Sequence, residues 1–237
     1  MNNQAILLMP EKHDNEFDMV SSAWQNRGGL VKRLGKFWVK DDTLALNNIA
    51  IYGGQAFAFV LAQLYDVQLI SPDDSLIARL DTKWVKRDIT LKQIGALNEK
   101  DFPVFIKPVI PKIFLASVFE TFADFKKFSK DLEDGERVLV SSIIDIEAEA
   151  RCYVINEDVR DIALYEGDAD IETSKTFLQN FIKNNAKYLP STFVVDIAYN
   201  SSIGWFVLEF NACWGAGLNN CNAEKVIDCI IGATVII

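Results

Sequence analysis

The composition of this chain is that of a folded protein and excludes several functional classes. Its 237 residues are 50% hydrophobic and include 16 Phe, a composition that argues against intrinsic disorder. The net charge of -9 argues against nonspecific nucleic-acid binding, and a single His removes the usual material of zinc sites and His-based triads. The four Cys form no C-x-x-C pair and the N-terminus resembles no secretory signal, so we expect reduced thiols in a cytoplasmic protein.

The first part of the chain is predicted to form a short N-terminal α/β unit over residues 1–78. The predicted elements are strands at residues 5–9, 36–40, 48–52 and 67–70, and a helix at residues 55–65. A polar stretch follows the first strand, and Gly53-Gly54 separates the third strand from the helix. The turn at residues 71–74 closes this unit.

The remainder, residues 79–237, is predicted to form a second and larger domain. Its predicted strands cover residues 102–108, 137–144, 147–155 and 159–166, and its predicted helices cover residues 121–132 and 174–188. The apolar segment 226–237 is too short to span a bilayer and is interrupted by Asp228, so a buried helix or a final strand is expected there.

A predicted hairpin near the C-terminus carries two carboxylates and an amide. Asp196 lies in the first strand, and Glu209 and Asn211 lie in the second. Alternation predicts that Glu209 and Asn211 share one face with Trp205 and Val207, and that Phe206, Leu208 and Phe210 share the other. One interpretation is a solvated strand face. The other is a magnesium site, because Mg²⁺ prefers oxygen ligands.

Two further segments place charged side chains where a cleft could use them. In the alternating segment from Glu147 to Tyr153, Glu149 and Arg151 share one face, which indicates either a surface strand with ion pairs or a wall that meets ribose and phosphate. Lys107 ends an apolar strand, so its ammonium either reaches solvent or meets a partner in the site.

The order of these residues resembles the ATP-grasp superfamily over roughly residues 81–229. The ordered set is Lys83, Lys107, Arg151, Asp196, Glu209 and Asn211, followed by the glycine-bearing loop Trp214-Gly215-Ala216-Gly217-Leu218. The chain is most similar to small, poorly characterised ATP-grasp proteins with E-x-R on the central strand and a D…E-x-N metal motif. The resemblance implies an α+β fold in which two α/β subdomains clasp a nucleotide, preceded by the short N-terminal unit.

The resemblance also implies roles for individual residues. It assigns metal binding to Asp196, Glu209 and Asn211, phosphate contacts to Lys83, Lys107 and Arg151, ribose to Glu149 with Glu147 as the alternative, adenine to Ser142 and Ile144, and the acylphosphate or substrate to the amides around Gly215 and Gly217. Lys107 and Arg151 are the implied catalytic residues. The implied ligands are ATP and Mg²⁺, with Mn²⁺ as an alternative metal.

Three features depart from the family pattern. No glycine-rich lid lies between Lys107 and Thr121, where many relatives cover the phosphates. The hinge sequence Ser141-Ser142-Ile143-Ile144 lacks the usual glutamate, which leaves adenine recognition to backbone groups. Thr82 separates Asp81 from Lys83, whereas the family carries a D-K pair.

The function implied by the resemblance is ATP-dependent ligation of a carboxylate to an amine or similar nucleophile through an acylphosphate. Two alternatives stay open: a nucleotide-binding sensor with weak or no turnover, and a small-molecule kinase on the same scaffold. The expected partners are ATP and a small carboxylate or peptide substrate, with neither nucleic acid nor membrane, and a homodimer is compatible with this expectation.

Overall fold

The fold combines helices with small sheets. The computed structural model describes residues 5–44, 49–110 and 113–236. Within these residues the strands form one three-stranded, one two-stranded and two four-stranded sheets. Parallel and antiparallel sheets occur together with helices, so the fold is α+β, as the sequence predicts. None of the helices in the described residues is long and apolar enough to cross a membrane.

The N-terminal sheet is parallel and is built by alternating strands and helices. Strands β1 (Ile6–Pro10), β2 (Leu30–Leu34) and β3 (Ile49–Ile51) lie in the order β2-β1-β3. Helix α1 (Asn15–Asn26) follows β1, and helix α2 (Gln55–Tyr65) follows β3. Parallel neighbours require crossover connections, and in this sheet α1 lies in the connection between β1 and β2.

The first four-stranded sheet is antiparallel and lies in the middle of the chain. Its strands are β5 (Ile89–Gln93), β6 (Val104–Pro108), β7 (Ser117–Phe119) and β8 (Arg137–Ser141), in the order β5-β8-β6-β7. Helix α4 (Phe122–Phe128) begins after Thr121, whose hydroxyl accepts a hydrogen bond from the amide of Asp124 at 3.1 Å. Its residue Phe125 packs edge-on against Phe119, with ring centroids 5.1 Å apart.

The second four-stranded sheet is also antiparallel and carries the predicted metal motif. Its strands are β9 (Ala148–Ile155), β10 (Asp158–Gly167), β11 (Thr192–Asn200) and β12 (Gly204–Asn211), in the order β10-β9-β11-β12. Helix α5 (Ile171–Asn185) covers one face through a core that includes Cys152, Phe181 and Val195. On the other face, Tyr153 and Val194 join the core of the N-terminal sheet. Polar residues of the central strands are therefore buried.

The C-terminal segment returns to the N-terminal unit. Helix α6 (Ala223–Ile231) packs against α1, and strand β13 (Thr234–Ile236) pairs antiparallel with β4 (Val67–Leu69). Leu7 of β1 and Val226 of α6 are fully buried in one hydrophobic core. The predicted division at residue 78 therefore separates two segments that share a core.

The N-terminal unit differs most from the sequence prediction. The predicted strand at residues 36–40 is wrong, because the strand that pairs with β1 is β2, at Leu30–Leu34. The stretch interpreted as polar contains α1, whose residues Val20 and Trp24 are buried. Of the predicted strand at residues 48–52, Asn48 lies outside the described residues and β3 occupies Ile49–Ile51.

The other predicted elements exist with shifted ends. The helix predicted over residues 121–132 is α4, which ends at Phe128, and the helix predicted over 174–188 is α5, which begins earlier, at Ile171. The segment 226–237 contains both the end of α6 and strand β13, and Ile237 lies outside the described residues. Short helix α3 (Thr82–Val85) and 3-10 turns at Leu76–Arg79, Ile94–Ala96, Glu99–Asp101 and Ala186–Tyr188 complete the chain.

Candidate functional site

A cleft of about 330 Å³ opens between the two four-stranded sheets. Its walls come from strands β6, β7 and β8, from the segment after β8, and from strands β9, β10 and β12. The lining residues are Arg87, Phe105, Lys107, Val118, Ser141, Ser142, Ile143, Ile144, Ile146, Glu149, Tyr165, Leu208 and Glu209. An apolar cleft with a few polar groups at one end is the usual form of a small-molecule site.

Two carboxylates and an amide converge at the polar end of this cleft. Asp196 of β11 lies directly opposite Glu209 of β12 in the strand register. The side-chain amide of Asn211 donates to the Asp196 carboxylate at 3.2 Å and to the Glu209 carboxylate at 3.1 Å. In the described residues, no group of three or more His, Cys, Asp or Glu side chains is arranged for a metal. Two carboxylates with an amide oxygen nevertheless form the hard-oxygen set that Mg²⁺ takes together with phosphate and water.

A β-bulge decides which side chains face the cleft. Asp196 pairs with Glu209, but the next residue of β11, Ile197, pairs with Val207, so Leu208 is an extra residue in β12. Val207 therefore packs in the same core as Phe210. The prediction that Glu209 and Asn211 share a face with Trp205 and Val207 is wrong, because the extra residue inverts the alternation between Val207 and Glu209.

Each of the two carboxylates is paired with a cation. The guanidinium of Arg151 donates to both oxygens of Asp196, at 2.8 and 2.7 Å, and to the carbonyl of Gly217 at 2.8 Å. The ammonium of Lys107 donates to the carboxylate of Glu209. The structure therefore brings together all three predicted metal ligands and two of the predicted phosphate contacts.

Burial and charge pairing set the protonation of this cluster. Burial raises the pKa of Asp196 to about 6, and the hydrogen bonds from Arg151 limit that rise. Burial opposes ionisation of Glu209 as well, but the charge and hydrogen bond of Lys107 hold the pKa of Glu209 below its usual value. Burial also opposes the charge of Arg151, yet the hydrogen bonds and charge of Asp196 raise the pKa of Arg151 above its usual value. At neutral pH both carboxylates are ionised and available as ligands.

The apolar end of the cleft begins at the segment after β8. Ser142 and Ile144, the residues predicted for adenine, both line it. Glu149, predicted for ribose, lines the opposite side and accepts a hydrogen bond from the hydroxyl of Tyr165. The Tyr165 ring centroid lies 5.9 Å from the guanidinium carbon of Arg151. Tyr165 is not among the predicted site residues, because it stands on β10 and only the sheet register brings it to Glu149.

Other predicted site residues lie away from the cleft lining. Lys83 is exposed on α3, and its ammonium lies 5.1 Å from the ring centroid of its neighbour Trp84. Glu147 is exposed before β9 and accepts a hydrogen bond from the Ser201 hydroxyl at 2.7 Å. Neither side chain is in contact with the carboxylate pair in the described structure.

Gly215 and Gly217 lie in the loop that joins the site to the N-terminal unit. The amide of Gly53 donates to the carbonyl of Trp214 at 2.9 Å. A Cβ at Gly217 would lie 2.7 Å from the carboxylate of Glu16, so the close approach of α1 requires glycine there. The carbonyl of Gly217 is held by Arg151, which ties this loop to the charged cluster.

Arg87 is a cleft residue that the sequence prediction does not assign. It follows α3 and lines the cleft. The sequence marks it only as one of several basic residues between Asp81 and Lys92. Its position becomes visible only when β12 and β8 are placed beside it.

The family of the chain follows from a direct comparison with family models. A model of the ATP-grasp domain, describing the second family of one of its clades, matches residues 84–229, which is more than half of the chain. The chain therefore belongs to the ATP-grasp family. This result confirms the resemblance seen in the sequence and the predicted fold.

Solved structures with this fold are similar over nearly the whole chain. A RimK domain protein ATP-grasp from Sphaerobacter thermophilus has a TM-score of 0.64 at 15% identity and covers 96% of this chain and 100% of its own. D-cycloserine synthetase DcsG has a TM-score of 0.61 at 14% identity, with 96% and 99% covered. D-alanine–D-alanine ligase from Bacillus anthracis has a TM-score of 0.60 at 12% identity, with 97% of each chain covered. At these identities the likeness shows the fold alone. No curated protein matches the chain.

Proposed function

We propose that this protein is an ATP- and Mg²⁺-dependent ligase that joins a carboxylate to an amine through an acylphosphate. The observation that carries the proposal is the cluster of Asp196, Glu209 and Asn211 with Lys107 and Arg151 at one end of an apolar cleft. Family membership supports ATP as the nucleotide. Two structural relatives, a D-alanine–D-alanine ligase and a macrocyclase bound to its precursor peptide, support ligation in general.

The cleft offers a place for each part of ATP. The apolar wall and the backbone near Ser142 and Ile144 would hold adenine, and Glu149, oriented by Tyr165, would accept the ribose hydroxyls. Lys107 and Arg151 would contact the phosphates, for which Arg is suited by its planar donors. Mg²⁺ or Mn²⁺ held by Asp196, Glu209 and Asn211 would neutralise phosphate charge.

The proposed reaction has two steps that need little acid–base chemistry. An oxygen of the substrate carboxylate attacks the γ-phosphorus, the bond to the β-phosphate oxygen breaks, and an acylphosphate and ADP form. The amine then attacks the acyl carbon, loses a proton and displaces inorganic phosphate. Phosphoryl transfer depends mainly on positioning and charge neutralisation. Arg151 would supply charge throughout, because Asp196 keeps its guanidinium fixed on two bonds.

The products of the reaction separate the ligase from its two alternatives. Purified protein is incubated with ATP, Mg²⁺ and a panel of amino acids and peptides, and ADP and phosphorylated products are measured. ADP release that needs both a carboxylate and an amine supports the ligase. A stable phosphorylated product would instead identify a kinase, and tight ATP binding without turnover would identify a sensor.

The metal assignment is tested with Glu209→Gln. This variant keeps the shape of the side chain but removes the charge that a divalent cation needs, so we expect ATP binding to lose its dependence on Mg²⁺. The control is Glu172→Gln, which removes an exposed carboxylate that pairs with Lys175 on α5. Calorimetric titration of ATP with and without Mg²⁺ measures the effect. Equal Mg²⁺ dependence in Glu209→Gln and in the unchanged protein would contradict the assignment.

A further inference from the structure

Arg87 connects the two four-stranded sheets through four hydrogen bonds to neutral oxygens. Its Nε donates to the hydroxyl of Ser141 at 3.1 Å, and its Nη1 donates to the carbonyls of Val85 at 2.9 Å and Val207 at 3.0 Å. Its Nη2 donates to the carbonyl of Leu208 at 3.0 Å. Burial lowers the pKa of Arg87 to about 10, so the side chain is still charged at neutral pH.

The two carbonyls on β12 belong to the bulge. In a regular antiparallel strand, successive carbonyls point toward opposite edges, so one side chain does not meet two in a row. The extra residue Leu208 disrupts this pattern and leaves ladder groups unpaired. Because β12 is an edge strand, its sheet offers no further strand within the described residues to satisfy them. The planar guanidinium of Arg87 presents two parallel donors that match the carbonyls of Val207 and Leu208.

The same bulge sets the positions of two cleft residues. Leu208 lines the cleft, and Glu209 follows it and faces Lys107 and Asp196. The other end of the Arg87 contact is Ser141, the last residue of β8, which directly precedes the segment predicted for adenine. Arg87 therefore fixes the distance between the nucleoside wall and the strand that carries the metal ligands.

We propose that Arg87 is a positioning residue that holds the bulge of β12, so that Leu208 walls the nucleobase and Glu209 points into the metal cluster. This inference rests on the proposed function for the identity of the nucleotide. The position of Arg87 on the bulge does not depend on it. A direct phosphate contact by Arg87 is the competing role, and the two roles differ in what they predict for adenosine, which has no phosphate.

Hydrogen–deuterium exchange of the ligand-free protein tests the contact with the bulge. In Arg87→Met we expect faster amide exchange in residues 205–211, because the fork that satisfies two carbonyls is gone. In Arg87→Lys the charge remains but one ammonium replaces the fork, so exchange there also rises, and this variant carries the test if Arg87→Met does not fold. The matched control is Arg33→Met, which removes a half-buried arginine paired with Asp18 in the N-terminal unit. Unchanged exchange of residues 205–211 in the Arg87 variants would overturn the inference.

Binding of ATP and adenosine, measured by calorimetry, separates positioning from phosphate contact. We expect the Arg87 variants to weaken both ligands by about tenfold, the effect of losing hydrogen bonds to a charged group. Lys107→Met should weaken ATP but leave adenosine unchanged. An Arg87 variant that loses affinity for ATP alone would assign it to the phosphates, and one that loses only thermal stability would make it purely structural. Failure of the unchanged protein to bind ATP would overturn the proposed function, while the exchange result would still decide the role of Arg87.

Discussion

The ion pair between Arg151 and Asp196 belongs to both the fold and the site. The two side chains are 10% and 1% exposed and are joined by two hydrogen bonds. Removing one partner of such a pair leaves an uncompensated buried charge, which costs far more than a surface ion pair is worth. The sequence shows that Arg151 stands on the polar face of its strand. Its partner depends on the register of β9 against β11, which places Asp196 opposite Arg151.

Replacing Asp196 with Asn should therefore destabilise the protein as well as impair metal binding. We expect Asp196→Asn to lower the free energy of unfolding by about 3–5 kcal/mol, because Arg151 stays buried without a counter-charge. Urea denaturation measures the change. The matched control is Asp124→Asn, which breaks an exposed pair with Lys127 and should leave the midpoint unchanged. A midpoint for Asp196→Asn equal to that of the unchanged protein would show that the pair is not closed in solution.

Lys107 poses the question of whether a half-exposed lysine binds ligand or only reaches solvent. Lys107 and Lys32 are each 37% exposed and each paired with a carboxylate, but only Lys107 lies in the cleft. We expect Lys107→Met to weaken ATP binding without metal by about tenfold or more, and Lys32→Met to leave it unchanged. Equal ATP affinities in the two variants, measured by calorimetry, would make Lys107 an ordinary surface cation.

At the scale of elements, the hairpin of β11 and β12 shows where sequence patterns stop being informative. The spacing of Asp196, Glu209 and Asn211 predicts correctly that the three side chains meet. The bulge at Leu208 is invisible in the sequence because residues 205–208 are all apolar, so either alternation buries an apolar side chain. The choice is made by packing: Val207 and Phe210 enter one core, and Arg87 satisfies the carbonyls that the bulge frees.

Deletion of Leu208 tests whether the bulge is a functional feature of this hairpin. Without Leu208, Val207 and Glu209 become neighbours in a regular ladder and keep their present faces, so we expect a folded protein. The cleft loses an apolar wall and Arg87 loses one acceptor, so ATP affinity should fall by about tenfold or more. Leu208→Ala, which keeps the bulge and removes only the side chain, should bind more tightly than the deletion. Circular dichroism and calorimetry measure both, and a deletion variant with full affinity would refute a role for the bulge.

At the scale of the whole molecule, the chain is less divisible than its sequence indicates. The change toward Lys and Arg after Asp81 predicts a boundary near residue 78, and the order of motifs predicts the ATP-grasp core that the family match confirms. The return of α6 and β13 to the N-terminal sheet leaves no local pattern, because both halves are simply apolar. Trp214, Val226 and Ile230 are buried in the same core as Leu7 and Phe57. Contacts between residues so far apart in sequence are decided by packing.

A fragment of residues 1–78 should therefore fail to fold alone. Its helix α2 and its β1 strand bury their apolar side chains partly against residues of α6 and the loop after β12, and β4 pairs with β13 from the C-terminal end. The fragment would expose that apolar surface to water, which for so small a unit removes much of its stabilisation. We expect no cooperative thermal transition in the fragment by circular dichroism, whereas the full chain should unfold cooperatively. The matched variant is the full chain with Ile230→Ala, which should lower the free energy of unfolding by about 2–5 kcal/mol from within the shared core. A fragment that melts cooperatively on its own would instead establish residues 1–78 as an independent domain, whose contacts with α6 and β13 form an interface between domains.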